Sequence, residues 1–136
     1  LRMERHCSNA LAVAKFLENN EHVAWVNYAD LESSKYHALA QKYLTRGFGG
    51  VLSFKLKGSA EKADKFIDSL QLISHLANVG DAKTLIIHPA TTTHEQLSPE
   101  DKVTAGVFPG LLRLSVGIEH IDDIKADLEK AFEAIK

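Results

Sequence analysis

The sequence predicts an α+β fold: a two-layer α/β arrangement in which a small, mostly antiparallel or mixed sheet of about four strands carries helices mainly on one face. Three observations predict it. Apolar residues recur at helical spacing near residues 3–18, 59–77 and 121–135, and each stripe needs a surface to cover it. Between these segments lie runs that alternate or are continuously apolar, at 51–56, 84–88 and 111–116, too short for helices and suited to strands. With 136 residues, 45% hydrophobic and 25% charged, the chain has the size and composition of one globular domain able to bury a core.

The elements follow in order. Cys7, Ala10, Leu11, Ala14 and Leu17 share one helical face, and Asn19-Asn20 ends the pattern, so residues 3–18 are an amphipathic helix. Residues 23–28 form a first strand, 29–34 a polar connection, and 36–44 a helix that stops at Arg46-Gly47. Glycines at 47, 49 and 50 mark a turn with unusual dihedrals or close backbone approach. Residues 51–56 then alternate Leu52, Phe54 and Leu56 against Ser53 and Lys55, the mark of a half-buried strand.

Ser59 is a suitable N-cap for what the periodicity predicts to be the longest helix, with Ala63, Phe66, Ile67, Leu70, Ile73 and Ala77 on one stripe and Gly80 closing it. Residues 84–88 are a short strand, held extended at His88 by Pro89. Ser98-Pro99-Glu100-Asp101 reads as a cap, a proline at the first helical position and an acid three residues on, opening a helix of one or two turns that ends at Gly106. The last helix carries Ile121, Ile124, Leu128, Ala131, Phe132 and Ile135, with Asp122 and Asp123 near its positive end.

Charge and composition narrow the function classes. A formal charge of −2 with interspersed Lys and Glu leaves no basic stripe, which argues against nucleic acid or an anionic membrane as partner. No segment approaches a membrane span or a signal peptide. The single cysteine, Cys7, cannot form an internal disulfide, so a reducing, cytoplasmic compartment is expected, and its place on an apolar stripe predicts a buried, unreactive thiol. The seven histidines show neither His-x-His nor His-x3-His spacing, and no metal site is expected. Packing and loop hydrogen bonds are the expected roles of His88 and His94. Gly47-Phe48-Gly49-Gly50 precedes a strand rather than opening a helix, so it is a structural turn and no phosphate loop.

Arg113 is the most informative residue. Alternation along residues 111–116 puts Leu112, Leu114 and Val116 on the core face and Leu111, Arg113 and Ser115 on the other. There the guanidinium faces either water or an anion, and its planar fork matches a carboxylate bidentately.

The wording around this strand carries a resemblance. Gly47-Phe48-Gly49-Gly50-Val51-Leu52-Ser53-Phe54, then Gly80-Asp81-Ala82-Lys83-Thr84-Leu85-Ile86-Ile87-His88-Pro89-Ala90-Thr91-Thr92-Thr93-His94, and Arg113-Leu114-Ser115-Val116-Gly117-Ile118-Glu119 together resemble the C-terminal domain of the pyridoxal-phosphate enzymes of cysteine and methionine metabolism, of fold type I. Within that family the wording is most like the O-acetylhomoserine sulfhydrylases, with cystathionine γ-synthases, cystathionine γ-lyases and methionine γ-lyases as siblings.

The resemblance implies a substrate-carboxylate site with Arg113 and Thr84 as substrate-binding residues, and no catalytic or cofactor-binding residue in this chain. It implies that pyridoxal phosphate is held by a lysine and phosphate cradle in a preceding large domain, because no lysine here has the family's Ser-x-x-Lys setting. Residues 1–136 are then one C-terminal substrate-binding domain, and residues 1–20 a helix connecting it to that large domain. The opening Leu1-Arg2-Met3, with no initiator Met, fits the same expectation. The intact enzyme is expected to be a homotetramer acting on a small amino-acid substrate, replacing acetate by sulfide or a thiol. The chain alone is expected to be inactive and monomeric or weakly dimeric. A stand-alone amino-acid-binding regulatory module is the alternative of another class.

Overall fold

The computed structural model describes all residues 1–136. Its elements are α1 (Arg2–Glu18), β1 (Val23–Asn27), α2 (His37–Tyr43), β2 (Val51–Leu56), α3 (Ala60–Asp68), β3 (Ser74–His75), β4 (Leu85–Ile87), α4 (Pro99–Thr104), β5 (Leu111–Ser115) and α5 (Ile121–Ala134), with one 3-10 turn at Pro89–Thr91. The strands form a single mixed sheet in the order β1-β2-β5-β4-β3. All neighbours are antiparallel except β3 and β4, which run parallel. The sheet thus has five strands where about four were expected, the addition being the two-residue β3.

β5 lies at the centre, paired on one side with β2 and on the other with β4. Its core face, Leu112, Leu114 and Val116, joins Leu52, Phe54, Leu56 and Ile86 beneath α1, α3 and α5 in one apolar cluster. α1 supplies Ala10, Val13, Ala14 and Leu17, and α5 supplies Ile124, Leu128, Ala131 and Phe132. Phe66 of α3 links the layers, its ring 6.1 Å from Phe54 and 4.9 Å from Phe132. The predicted stripes of α1 and α5 are the surfaces buried here.

Two expectations about the middle helix are corrected. It ends at Asp68 rather than reaching Gly80, and α1 is the longest helix. The cause is Asp127, an acid on the buried stripe of α5 and only 4% exposed. Its carboxylate accepts the backbone N–H groups of Gln71 at 2.9 Å, Leu72 at 3.0 Å and Ile73 at 2.9 Å. Bonds to a charged acceptor contribute about 1.5–3 kcal/mol each, enough to outweigh a further helical turn. Chain captured in this way then runs into β3 while Ile73 stays in the core. Ser59 has the extended backbone of an N-cap, yet its side chain caps nothing. Ser98 does cap α4 as predicted, accepting the Asp101 N–H at 3.1 Å.

The opposite face of the sheet carries no helix from the core layer, but it is not open. Leu85, Ile87, Leu111 and Ser115 are buried there, and Arg113 is half-buried among them. The segment at residues 78–84 reaches this face: the Gly80 N–H donates to Ser115 Oγ at 3.3 Å.

Candidate functional site: the loop-covered face around Arg113

Cross-strand register builds the site. Asn27 of β1, Ser53 of β2, Arg113 of β5 and Ile87 of β4 form one row across the sheet, so their side chains share a face. The Arg113 guanidinium makes a single contact, Nη2 donating to the Asn78 carbonyl at 3.4 Å. It has no acidic partner, since the three ion pairs of the structure all involve histidines. A half-buried guanidinium left with one long bond retains donors for a planar anion.

Thr84 occupies a different setting from Arg113. It is 0% exposed. Its hydroxyl donates to Glu119 Oε2 at 2.7 Å and accepts the Gly117 N–H at 2.9 Å, while its own N–H donates to Glu119 Oε1 at 2.6 Å. Glu119 therefore clamps the start of β4 from both sides of one residue. Gly117 is required for this approach: a β-carbon there would meet the Ala82 carbonyl oxygen and a Glu119 carboxylate oxygen, and lie 2.6 Å from the Lys83 carbonyl carbon.

The same segment is held elsewhere. Ile118 N–H donates to the Ala82 carbonyl at 2.9 Å, and Arg2 of α1 donates to the Gly80 carbonyl. From α1, Asn9 donates to the Gly117 and Glu119 carbonyls at 3.1 and 2.9 Å, and His6 Nδ1 lies 2.6 Å from the Val116 carbonyl, which makes that nitrogen the protonated one. These bonds fix where Asn78 presents its carbonyl to Arg113. Glu119 and Asn9 had no role in the sequence reading, whereas the resemblance puts the stretch from Asn78 to His94 along the substrate pocket. Glu119 alone had a signal, as the acid closing the Arg113 to Glu119 run.

The turn at residues 47–50 is structural. Gly47 and Gly49 have φ of +127° and +82°, dihedrals that L side chains rarely adopt, and a β-carbon on Gly47 would also press on Cys7 Sγ at 2.9 Å. Tyr28 donates its hydroxyl to the Gly49 carbonyl at 2.9 Å. Burial, with smaller contributions from Cys7 and Asp30, pushes the Tyr28 phenol well above its usual range and keeps it a donor. Cys7 is half-buried rather than fully buried. No three His, Cys, Asp or Glu side chains converge into a group that could hold a metal ion. His94 meets the hydroxyl of Thr93 at 2.8 Å in an exposed loop.

The residues present do not fit a holder of pyridoxal phosphate. No lysine is buried, and the one glycine-rich turn leads into a strand, so neither an enclosed amine nor a helix-borne phosphate cradle exists here.

Comparison with known proteins gives a consistent result. A family model described as Cys/Met metabolism PLP-dependent enzyme matches residues 1–133. O-acetyl-L-homoserine sulfhydrylase of Leptospira meyeri is 57% identical over 136 residues, which is 99% of this chain and 31% of that protein. Homocysteine synthase of Schizosaccharomyces pombe is 56% identical over 133 residues, 98% of this chain and again 31% of the relative. The chain thus spans about a third of the length of these curated relatives. Among solved structures, a putative O-acetylhomoserine (thiol)-lyase of Campylobacter jejuni, which contains a pyridoxyl-lysine monophosphate, superposes with a TM-score of 0.91 at 46% identity over 97% of this chain and 31% of that one. Cystathionine gamma-lyase of Lactobacillus plantarum, solved with L-serine, gives 0.91 at 32% identity over 98% and 35%.

Proposed function

The chain belongs to the PLP-dependent enzymes of Cys/Met metabolism, and from that premise we propose that it is the substrate-carboxylate-binding domain of an O-acetylhomoserine sulfhydrylase. The observation that carries this reading is Arg113: half-buried, without an acid partner, and bonded only to the Asn78 carbonyl. Its fork takes the α-carboxylate of the amino-acid substrate. The Asn78 carbonyl accepts from the guanidinium and so orients it, and Ser53, next to Arg113 in the row, adds a hydroxyl on the same face.

Thr84 serves the site at one remove. With its hydroxyl committed to Glu119 and Gly117, it anchors residues 78–84 and so sets the distance between Asn78 and Arg113. The reaction replaces the acetate of O-acetylhomoserine by sulfide or a thiol. The cofactor, which supplies the electron sink, and its lysine belong to the two-thirds of the protein outside this chain. What these residues contribute is binding and orientation, placing the γ-carbon of the substrate for exchange. Higher identity to sulfhydrylases than to the solved cystathionine lyase supports this choice among sibling chemistries. The intact enzyme is a cytoplasmic homo-oligomer.

The deciding experiment is steady-state kinetics of the full-length protein and its Arg113→Ala variant with O-acetylhomoserine and sulfide. A large fall in kcat/KM with unchanged folding supports the assignment. Normal kinetics in the variant would show that Arg113 holds no substrate, and homocysteine formation by residues 1–136 alone would overturn the division of labour.

A further inference from the structure

Val51 pairs with Ser115 two residues along both strands from the Ser53–Arg113 pair, so all four side chains share the loop-covered face. Val51 and Ser115 line a groove of about 250 Å³, together with Met3 of α1, Phe48 of the glycine turn and Val79 and Gly80 of the segment over the sheet. Val79 follows Asn78, whose carbonyl accepts from Arg113, so the groove begins beside the guanidinium. Its rim is apolar and uncovered: Met3 is 58%, Val79 61% and Val51 36% exposed. No Lys, Arg, Asp or Glu side chain lines it, and Ser115 Oγ is already bonded to the Gly80 N–H. Single exposed apolar residues are ordinary on a surface, but several gathered around one groove mark a contact site.

What covers the groove follows from what this chain lacks. None of its residues fits a holder of pyridoxal phosphate, and it is 31% of the length of each curated relative compared above. On the reading of Arg113 given above, on which this inference rests, the substrate carboxylate sits at the guanidinium. The amino group at which the cofactor acts is one carbon removed from that carboxylate. The polypeptide that holds the cofactor therefore comes within the length of one amino acid of Arg113, and the groove lies in its path.

We propose that the groove is the seam between the two parts of the protein, and that an apolar segment of the cofactor-holding part of the same chain seats on Met3, Phe48, Val51 and Val79. A charged segment would lose water there and find no partner, so the occupant is uncharged. Seated in the groove, it fixes how far the cofactor stands from a carboxylate held at Arg113. It also shields the free donors of the guanidinium from water, which strengthens their hold on an anion.

The test uses the full-length protein with cysteine introduced at one position at a time. Met3→Cys and Val79→Cys lie in the groove, and Val103→Cys lies outside it on α4, where residue 103 is 56% exposed and so matches the other two. Maleimide labelling is read at each site by mass spectrometry. Met3→Cys and Val79→Cys are expected to label at least about tenfold more slowly than Val103→Cys, because reaction waits for the seam to open, and all three to label alike once urea has unfolded the protein. A cross-link identifies the cover. Met3 is the one methionine among residues 1–136, and with photo-methionine in its place ultraviolet light should join it to a peptide from outside those residues, in a product of one chain's mass. Equal labelling at the three positions in the folded protein overturns the proposal. So does a cross-link found only in a product of two chains' mass, which would make a second copy the occupant. Arg113→Ala separates this inference from the reading it rests on: slow groove labelling with normal kinetics in that variant removes the carboxylate reading alone, whereas equal labelling with impaired kinetics removes the seam alone.

Discussion

The two faces of the sheet are built from the same strands, residue by alternate residue, yet they are held by different forces. On the helix-covered face, Leu112, Leu114 and Val116 meet carbon on every side. One residue away, Arg113 and Ser115 meet a loop, and the cohesion of that face comes from hydrogen bonds: Gly80 to Ser115, Thr84 to Glu119, Asn9 to the carbonyls beyond β5. The first face stabilises the domain by burying carbon, and the acid on its covering layer, Asp127, is spent on holding the chain after α3. The second contributes less burial but aims a guanidinium. A guanidinium keeps free donors on a sheet face where the packing is polar and its partner atom is a backbone carbonyl.

Substitutions can break this division, and the largest effect belongs to the carbon face. Phe66→Ala removes the ring bridging Phe54 and Phe132 and should cost about 3–5 kcal/mol in chemical unfolding, with no preferential loss of substrate affinity in the protein that remains folded. Next is Asp127→Ala. It leaves the N–H groups of Gln71, Leu72 and Ile73 without an acceptor, at about 1–3 kcal/mol each before relaxation, and should show as a lowered urea midpoint with amide exchange quickened first at those three positions. Were exchange to quicken uniformly, the account of why α3 stops at Asp68 would fail.

Arg113→Ala sharpens the comparison from the other side. Loss of a charge-assisted contact to the carboxylate should lower kcat/KM of the intact enzyme by about 1.5–3 kcal/mol, roughly 10- to 150-fold, while stability stays within about 0.5 kcal/mol. Arg113→Lys should recover part of the loss, because one ammonium replaces a fork. The smallest effect on catalysis is expected of Thr84→Val, which deletes the bond to Glu119 Oε2 and leaves the Gly117 N–H unpaired. It should lower stability by about 1–3 kcal/mol and kcat/KM by less than Arg113→Ala does. If Thr84→Val matched Arg113→Ala in kcat/KM at full stability, Thr84 would contact substrate itself.

Much of this was legible in sequence. Periodicity located α1, β2, β5 and α5 because their apolar stripes are the surfaces the core buries, and alternation placed Arg113 off the core face. The same periodicity misled at α3. Leu70 and Ile73 continue the stripe and are indeed packed in or against the core, but the backbone reaching them is not helical, since a buried acid 54 residues beyond Ile73 takes its N–H. β3, two residues long, has no local pattern to read. Within the site, Arg113 had a side-chain signal, whereas Asn78 was marked only as the first residue of a stretch that the resemblance puts along the pocket, because it contributes a carbonyl that any residue possesses. The setting of Thr84 turned on Glu119, whose partner is named only by the fold.

The central position of β5 has a consequence for synthesis. β2 and β4 are made first, and neither borders the other, so each must wait for Leu111–Ser115 to fill the gap between them. Until then one edge of β2 and one of β4 display unpaired backbone groups beside apolar side chains, the combination that invites pairing with another chain. α5 and Asp127, which complete the core and hold the chain after α3, are made later still. The sheet is therefore complete only once Leu111–Ser115 is in place, and its core only once α5 has packed.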